Sequence, residues 1–488
     1  MKTLFTWKKI TFGAALAFGL SVQPGISQIV PVSLTAGPIK FKMYNIDNAH
    51  RSEGTAVADV DKDGDMDILV GDYWYETKPN STWTIHEIRT PGVYAVTDYS
   101  EAFVCYADDF NNDTYPDLLV MPYGGKEVKW YENPKGGAGR WTAHSVGYSY
   151  YNEQPIFVDV LGTGQKYLIS SNTAAQFAYY RPGTDAAAAW NKVAISQAGA
   201  PNGNQWDHGM GIGDINGDGR KDFITQEGWY ENPVSQGVNW AFHPSKFNTI
   251  SPEQPSNIYP YDINKDGKMD LVTANAHGYG VWWYEQLAGN TWKTHTIDDA
   301  VSENHSMNFD DMDNDGSPDI ITGKRWYAHN GADPGGNDPA ILYWIKYTVA
   351  AGVPTFTKYV IYNNSGIGIN FQTGDFNGDG LKDICISNKK GVKMYYQEGT
   401  AVGVGKSAIR VGKNLKIDVQ RLSSRMMTTF KTDGAYLFRA IGINGKTVFC
   451  RKGTQAGAYQ FELRDLPTGV YTLELESLGN KVSRMVAN

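Results

Sequence analysis

A short apolar strand, an aspartate-rich loop of the form D-x-[DN]-x-D-G-x-x-D, a second apolar strand and an aromatic pair recur seven times along this chain at nearly regular intervals. Self-similarity at a period of roughly 50 residues marks a radial or stacked repeat architecture, because each unit leaves an apolar face that only a neighbouring unit covers. Six loops keep their acids: Asp59–Asp67, Asp109–Asp117, Asp214–Asp222, Asp262–Asp270, Asp311–Asp319 and Asp375–Asp383. A seventh, Asp159–Tyr167, keeps the position and loses most of them.

Aligned on the first loop aspartate, each unit shows four short segments. The first precedes the loop (Gly54–Asp59) and the second follows it (Asp67–Gly71). The third carries the aromatic pair: Trp74–Tyr75, Trp130–Tyr131, Tyr179–Tyr180, Trp229–Tyr230, Trp283–Tyr284, Trp326–Tyr327 and Tyr395–Tyr396. The fourth alternates polar and apolar residues, as in Trp83–Ile88, Trp141–Val146 and Trp292–Ile297. Short runs rich in β-branched and aromatic residues, separated by Gly, Asn, Asp or Pro, read as strands. Four strands in each of seven units predict an all-β fold, a seven-bladed β-propeller over residues 28–399. The seventh unit lacks a fourth segment, while Phe41–Ile46 reads as an orphan strand, so the two ends of the chain are expected to close the ring and remove the open edge.

Alternate oxygens at loop positions one, three, five and nine converge only if the chain turns sharply at position six, where glycine permits the turn. Hard oxygen donors at this spacing suit calcium, at about six sites. The expected ligands in the first loop are Asp59, Asp61, Asp63 and Asp67, with the Asp65 carbonyl. The others are Asp109, Asn111, Asp113 and Asp117; Asp214, Asn216, Asp218 and Asp222; Asp262, Asn264, Asp266 and Asp270; Asp311, Asp313, Asp315 and Asp319; and Asp375, Asn377, Asp379 and Asp383. Leu161, Thr163 and Tyr167 stand at ligand positions of the seventh loop, which is expected to hold no metal.

With 488 residues and 41% hydrophobic content, the chain has room for one large repeat domain and a smaller one. Its formal charge of −8 and lack of clustered Lys and Arg exclude a nucleic-acid footprint. Residues 1–27 place Lys2, Lys8 and Lys9 before an apolar run and then small residues, the layout of a secretory signal peptide too short for a comfortable membrane span. A secreted or surface-attached protein, not an integral membrane one, is therefore expected. Three distant cysteines, Cys105, Cys385 and Cys450, make no disulfide framework. Residues 400–407 read as a linker and 408–488 as a small C-terminal β-domain, expected to be a sandwich.

The repeated loops resemble the FG-GAP or VCBS repeats of integrin α-subunit propellers and of secreted bacterial proteins, over roughly residues 40–398. More narrowly, Trp206–Asp214, Glu303–His305 and Gly323–Asn330 look like the propeller of the aldos-2-ulose dehydratase family, whose cupin domains this chain lacks. Similar calcium loops occur in a fungal sugar-binding lectin and in rhamnogalacturonan lyases, so the resemblance implies a carbohydrate partner and leaves binding and cleavage both open. Ile443–Val448 and Leu466–Tyr471 are similar to the sorting domains of type IX secretion cargo, which implies partners in secretion and surface attachment.

In this strand order the calcium loops occupy one face, and the segments entering first strands share the other with the loops joining second to third strands. Non-repeating polar residues on that second face mark the candidate site. His86, His144 and His295 recur at one place in fourth strands and read as structural. His50, His208 and His305 precede first strands, accompanied by Glu53, Glu153, Asp207 and Glu303; His277, Tyr73, Lys324 and Arg325 fall between second and third strands. An eliminative sugar lyase or dehydratase would take His208, His305 and His50 as bases, Tyr73 as acid and Arg325 as stabiliser, with Glu53, Asp207, His277, Glu303, Lys324 and Trp326 holding substrate. Three histidines could instead bind zinc. A lectin or a surface-adhesion protein is the alternative reading. Residues 330–339, a Gly-Pro-rich insertion, are expected to rim the face.

Overall fold

The computed structural model describes residues 29–400 except 138, 150, 248–253 and 290, and residues 417–487 except 423–424, 433–435, 443–446, 455–456, 464–469 and 478–479. It forms two compact units, Met1–Val402 and Gly403–Asn488. The expected signal peptide, the linker beyond residue 400 and the motif residues 443–446 and 466–469 lie outside the described residues. Among those described, no helix is long and apolar enough to cross a membrane.

The first unit is all-β, with six four-stranded antiparallel sheets and one of five strands, consistent with a propeller. Sheet 1 begins with Ala56–Ala58, sheet 2 with Val104–Asp108, sheet 3 with Ile156–Val158, sheet 4 with Met210–Gly213, sheet 5 with Tyr259–Tyr261 and sheet 6 with Met307–Asp310. Sheet 7 takes Gln372–Gly374, Asp383–Asn388 and Gly391–Thr400 from late in the chain and Ile39–Asp47 and Val32–Ala36 from its start. The orphan strand thus pairs across the chain ends, with Met43 opposite Tyr395.

Second strands are buried and mostly apolar because neighbouring sheets cover both their faces; every residue of Asp117–Met121 and Asp383–Asn388 is buried. Each core cluster lies between consecutive sheets. Leu69 and Trp74 of sheet 1 pack with Leu118 and Tyr131 of sheet 2, and the series ends with Tyr44 and Met394 of sheet 7 packed with Ile68 and Tyr75 of sheet 1.

Fourth-strand histidines brace this packing. His86, His144, His243 and His295 stack on Trp74, Trp130, Trp229 and Trp283 with ring centroids 4.0–4.4 Å apart. Each Nε2 lies 2.8 Å from a third-strand glutamate: Glu76, Glu132, Glu231 and Glu285 respectively.

Two aromatic assignments need correction. In sheets 1–5 the pair lies opposite the residues following the ninth loop position, as Tyr75 does opposite Ile68. That register selects Trp344–Ile345 in sheet 6 and Met394–Tyr395 in sheet 7, not Trp326–Tyr327 and Tyr395–Tyr396. In sheet 6 the insertion displaces the third strand to Leu342–Ala350, leaving Trp326 in the preceding loop.

The second unit has a three-stranded sheet (Ile417–Leu422, Arg425–Thr432, Gly457–Leu463) and a four-stranded one (Thr447–Gly453, Tyr436–Gly442, Val470–Ser477, Asn480–Ala487). Buried Phe430 of the first stacks on Phe438 of the second.

Phe41 is fully buried among Trp344 and Ile321 of sheet 6 and Tyr395 of sheet 7. Phe41→Ala is expected to lower unfolding free energy by about 3–5 kcal/mol. Denaturant titration checks this; a loss below about 1 kcal/mol would show that closure does not depend on the N-terminal strand.

Candidate functional site

Two constellations occupy opposite ends of the sheets. At one end lie the aspartate loops, whose backbone is left-handed at positions four and six in every copy: Lys62 and Gly64 at φ 64° and 95°, Asn112 and Thr114 at 59° and 79°. Thr114 shows that the geometry holds even where glycine is absent. The first-position carboxylate accepts the N–H of residue six, as Asp59 does from Gly64 at 3.1 Å and Asp311 from Gly316 at 2.8 Å. Oxygens of Asp59, Asp61 and Asp67 lie within 4.8 Å of one another, as do those of Asp311, Asp313 and Asp315, an arrangement that could hold a cation.

The ninth-position aspartate is fully buried in all six acidic loops. One of its oxygens accepts the N–H of loop position two and the other an N–H within the third strand or just past its end. Asp67 takes Val60 at 3.0 Å and Thr77 at 2.7 Å; Asp117 takes Phe110 and Asn133; Asp383 takes Phe376 and Gln397. In sheet 3, where Tyr167 replaces the aspartate, the third-strand place three residues beyond Tyr179 is Pro182, which has no N–H to donate. Acceptor and donor are lost together.

At the other end, Glu153 enters sheet 3, His208 enters sheet 4 and His305 enters sheet 6, while His277 sits between the second and third strands of sheet 5 and Arg325 between those of sheet 6. All five are buried. His208 Nε2 lies 3.2 Å from both His305 Nε2 and His277 Nε2. The Glu153 carboxylate reaches His208 Nε2 and His305 Nε2, each at 3.1 Å. Arg325 Nη1 donates to Glu153 Oε1 at 2.8 Å and to His305 Nε2 at 2.9 Å. An imidazole nitrogen carries at most one proton, so three converging Nε2 atoms cannot be satisfied by hydrogen bonds to one another alone.

Burial would raise Glu153, but His208, His305 and Arg325 outweigh it and hold the carboxyl well below the usual range. Burial, then Arg325, pushes His305 well down; burial also lowers His277, against its hydrogen bond to the Asp333 carboxylate. Uncharged His305 and His277 beside an ionised Glu153 match the protonation state that metal ligands require. The two Nε2 separations of 3.2 Å lie near those of a tetrahedral zinc site. Tetrahedral zinc with bonds of about 2.0–2.1 Å sets its nitrogens roughly 3.3–3.4 Å apart.

Above this cluster is a cavity of about 230 Å³ walled by Tyr99, Phe103, Tyr123 and Trp206, with Gln254 and His329 on its lining. Tyr99 and Tyr123 stack at 4.9 Å, and Trp206 tilts against Tyr123 at 4.6 Å. Arg325 lies over the rings of Tyr99 and Phe103.

Of the expected site residues, His208, His277, His305 and Arg325 meet. His50 does not: its Nδ1 faces Ala95 O at 3.2 Å and its Nε2 faces Glu53 at 3.5 Å, away from the cavity lining. Tyr73 begins a third strand, and its hydroxyl accepts from Arg51. Lys324 pairs with the Glu303 carboxylate and donates to Ser302 Oγ at 2.8 Å, all three residues buried. Asp207 caps its own loop through the Asn204 N–H, and Trp326 lies under Lys390. These side chains share the face but point into other neighbourhoods. His329, Asp333, Tyr99, Phe103 and Gln254 were not singled out from the sequence; the insertion was the available signal for Asp333.

An FG-GAP-like repeat matches residues 262–322, from the fifth sheet's loop into the sixth sheet's second strand. The chain therefore contains an FG-GAP-like repeat within an all-β array of four-stranded sheets. No curated protein matches it. Solved structures similar to it include BBS1N in complex with ARL6DN (10% identity, 76% of this chain and 97% of that one, TM-score 0.41). Others are proteins described as 6-phosphogluconolactonases from Bacteroides fragilis (11%, 71% and 98%, TM-score 0.41) and Bacteroides uniformis (10%, 68% and 97%, TM-score 0.38).

With protein neighbours alone, burial raises Asp67 to about 8 and Asp117, Asp319 and Asp383 to about 7, above the ordinary carboxylate value. The folded state then holds these protons more tightly than the unfolded chain. Their stabilising contribution is complete below about pH 4 and is lost as pH rises through the folded values. Protein kept in a chelator is expected to melt at a lower temperature at pH 8 than at pH 5; a flat profile would contradict the assignment.

Proposed function

We propose that the first unit is a secreted, calcium-stabilised seven-bladed β-propeller whose cavity carries out a metal-assisted elimination on a carbohydrate. One observation carries the reading: His208, His277 and His305 bring three Nε2 atoms and the Glu153 carboxylate together beneath an aromatic-walled cavity that His208, His277 and Glu153 line. A divalent metal held by these four residues, with the His305 Nε2 lone pair released from its hydrogen bond to Arg325, would supply Lewis-acid polarisation of a sugar oxygen.

The remaining roles follow from what lines the cavity. Its volume lies below the usual range for drug-sized ligands and suits a single sugar ring, whose apolar face stacks on Tyr99, Tyr123 or Trp206. Arg325 Nη2 is buried with no hydrogen-bond partner among the described residues, so it is free to hold a substrate carboxylate or enolate oxygen. His329 lines the cavity with Nδ1 2.9 Å from Asp333, which raises it and suits it to accept the proton beside a carbonyl. The Tyr99 hydroxyl, which accepts the His329 backbone N–H at 3.1 Å, is the acid for the leaving oxygen.

Calcium in the six acidic loops would remove the repulsion among their carboxylates and fix first strands to second strands. The two sheets of the second unit meet through Phe430 and Phe438, which supports a sandwich, while a sorting role with attachment at the cell surface rests on the sequence resemblance.

Incubation with keto-sugars and polysaccharides is expected to generate ultraviolet absorbance from enone or enol-ether products. Arg325→Ala should reduce the rate by about 10²–10³-fold, as for loss of one oxyanion donor. Glycan binding with no product from any substrate would replace this reading with the lectin one.

Chelation should lower the melting temperature and added calcium restore it, because a ligand of the folded state alone stabilises by mass action. A melting temperature indifferent to both would remove calcium from the loops.

A further inference from the structure

The three histidines of the cluster are not equivalent. His208 Nδ1 and His305 Nδ1 are buried with no hydrogen-bond partner among the described residues, so no acceptor fixes their tautomer. His277 Nδ1 lies 2.9 Å from Asp333 Oδ2. The carboxylate accepts the Nδ1 proton and thereby turns the Nε2 lone pair toward His208, 3.2 Å away. The same carboxylate receives His329 Nδ1, and the His329 ring lies flat on His277 with centroids 4.7 Å apart and planes 17° apart.

Asp333 belongs to the insertion after the second strand of sheet 6, whose backbone is held in a costly shape. Tyr327, His329 and Asn330 have φ of 61°, 44° and 55°, the left-handed region that non-glycine residues seldom occupy. Such conformations persist where surrounding contacts over-determine them, and they gather at functional sites. Here Lys389 Nζ donates to Tyr327 O at 3.1 Å, the His329 N–H donates to Tyr99 Oη at 3.1 Å, and Tyr279 Oη donates to Asp338 at 2.9 Å. The insertion is thereby fastened at both ends over the cavity, with Asp333 on His277 between them.

We propose that Asp333 is the positioning residue of the metal centre: from the insertion of sheet 6 it orients His277 of sheet 5, so that metal affinity depends on a carboxylate that is not itself a ligand. The inference rests on the metal-centre reading given above. Outer carboxylates that fix ligand histidines commonly contribute about 10–100-fold to affinity. His329 shares the carboxylate but offers its nitrogen to Asp333 and not to the cluster, so it contributes nothing comparable.

The test is zinc titration of the full chain by calorimetry, in saturating calcium after removal of adventitious metal, with cobalt absorption spectra on the same samples. Asp333→Ala is expected to weaken zinc binding by about 10–100-fold and to alter the cobalt spectrum. Asp333→Asn keeps an acceptor for the Nδ1 proton and should fall between Ala and the parent; His329→Ala should bind within about threefold of the parent. Parental affinity in Asp333→Ala, with the parent itself binding one zinc, overturns this inference and leaves the metal centre standing. Two zinc ions in the parent, one of them lost in His329→Ala, would make Asp333 and His329 ligands and also overturn it. A parent that binds no zinc or cobalt overturns the metal-centre reading and this inference with it. Melting temperatures in calcium confirm that each variant is folded.

Discussion

A buried carboxylate that joins a loop to the third strand or its end is the contact on which six of the seven sheets of the first unit depend. Asp67, Asp117, Asp222, Asp270, Asp319 and Asp383 are withdrawn from water, and each is compensated by two backbone N–H groups from different segments. Burying a charge without such partners is strongly unfavourable. The donor and acceptor are needed as a pair, and Tyr167 and Pro182 depart from the pattern in the same sheet. Sheet 3 keeps the first half of the device, since Asp159 still accepts the N–H groups of Thr163 and Gly164 at 3.0 and 2.7 Å.

Fixing one end of every sheet leaves the other end free to vary. Segments that enter first strands need only deliver the chain to the right height, and loops between second and third strands need only return it. Sheets 3 to 6 use that freedom to place one polar side chain each, or two, at a common point. The repeat supplies rigidity; departures from the repeat supply chemistry. The Trp–His–Glu groups on the fourth strands belong to the first category, for the same stacking and the same 2.8 Å contact recur in sheets 1, 2, 4 and 5.

Much of this was legible in the sequence because it is periodic. Loop spacing, the four segments of each unit and the strand shared between chain ends all follow from local pattern. Register failed where an insertion broke the period, as at Trp326, or where a neighbouring aromatic offered a false match, as at Tyr396. The site was legible by face and not by direction. Position before a first strand places His50 and His208 alike, yet His208 joins His277 and His305 while His50 turns to Glu53 and Ala95. Which way a side chain turns is decided by packing against loops distant in sequence, and that information has no short-range signature. His329 was hidden for the same reason, because its left-handed backbone is imposed by contacts with Tyr99 and Asp333.

The charge arrangement bears on what the cavity can accept. The Glu153 carboxylate and the Arg325 guanidinium, 2.8 Å apart, offset each other's charge within a low-dielectric pocket. Under the proposed reading, a dication there would leave about two positive charges against walls of Tyr99, Phe103, Tyr123 and Trp206, which screen poorly. That surplus disfavours a neutral occupant and favours one that develops negative charge beside the Arg325 guanidinium. Removal of a proton next to a carbonyl creates such a species, an enolate, whereas simple recognition of a neutral sugar does not. The same electrostatics that would make a metal costly in the resting cavity thus make an anionic transition state the arrangement that best relieves it.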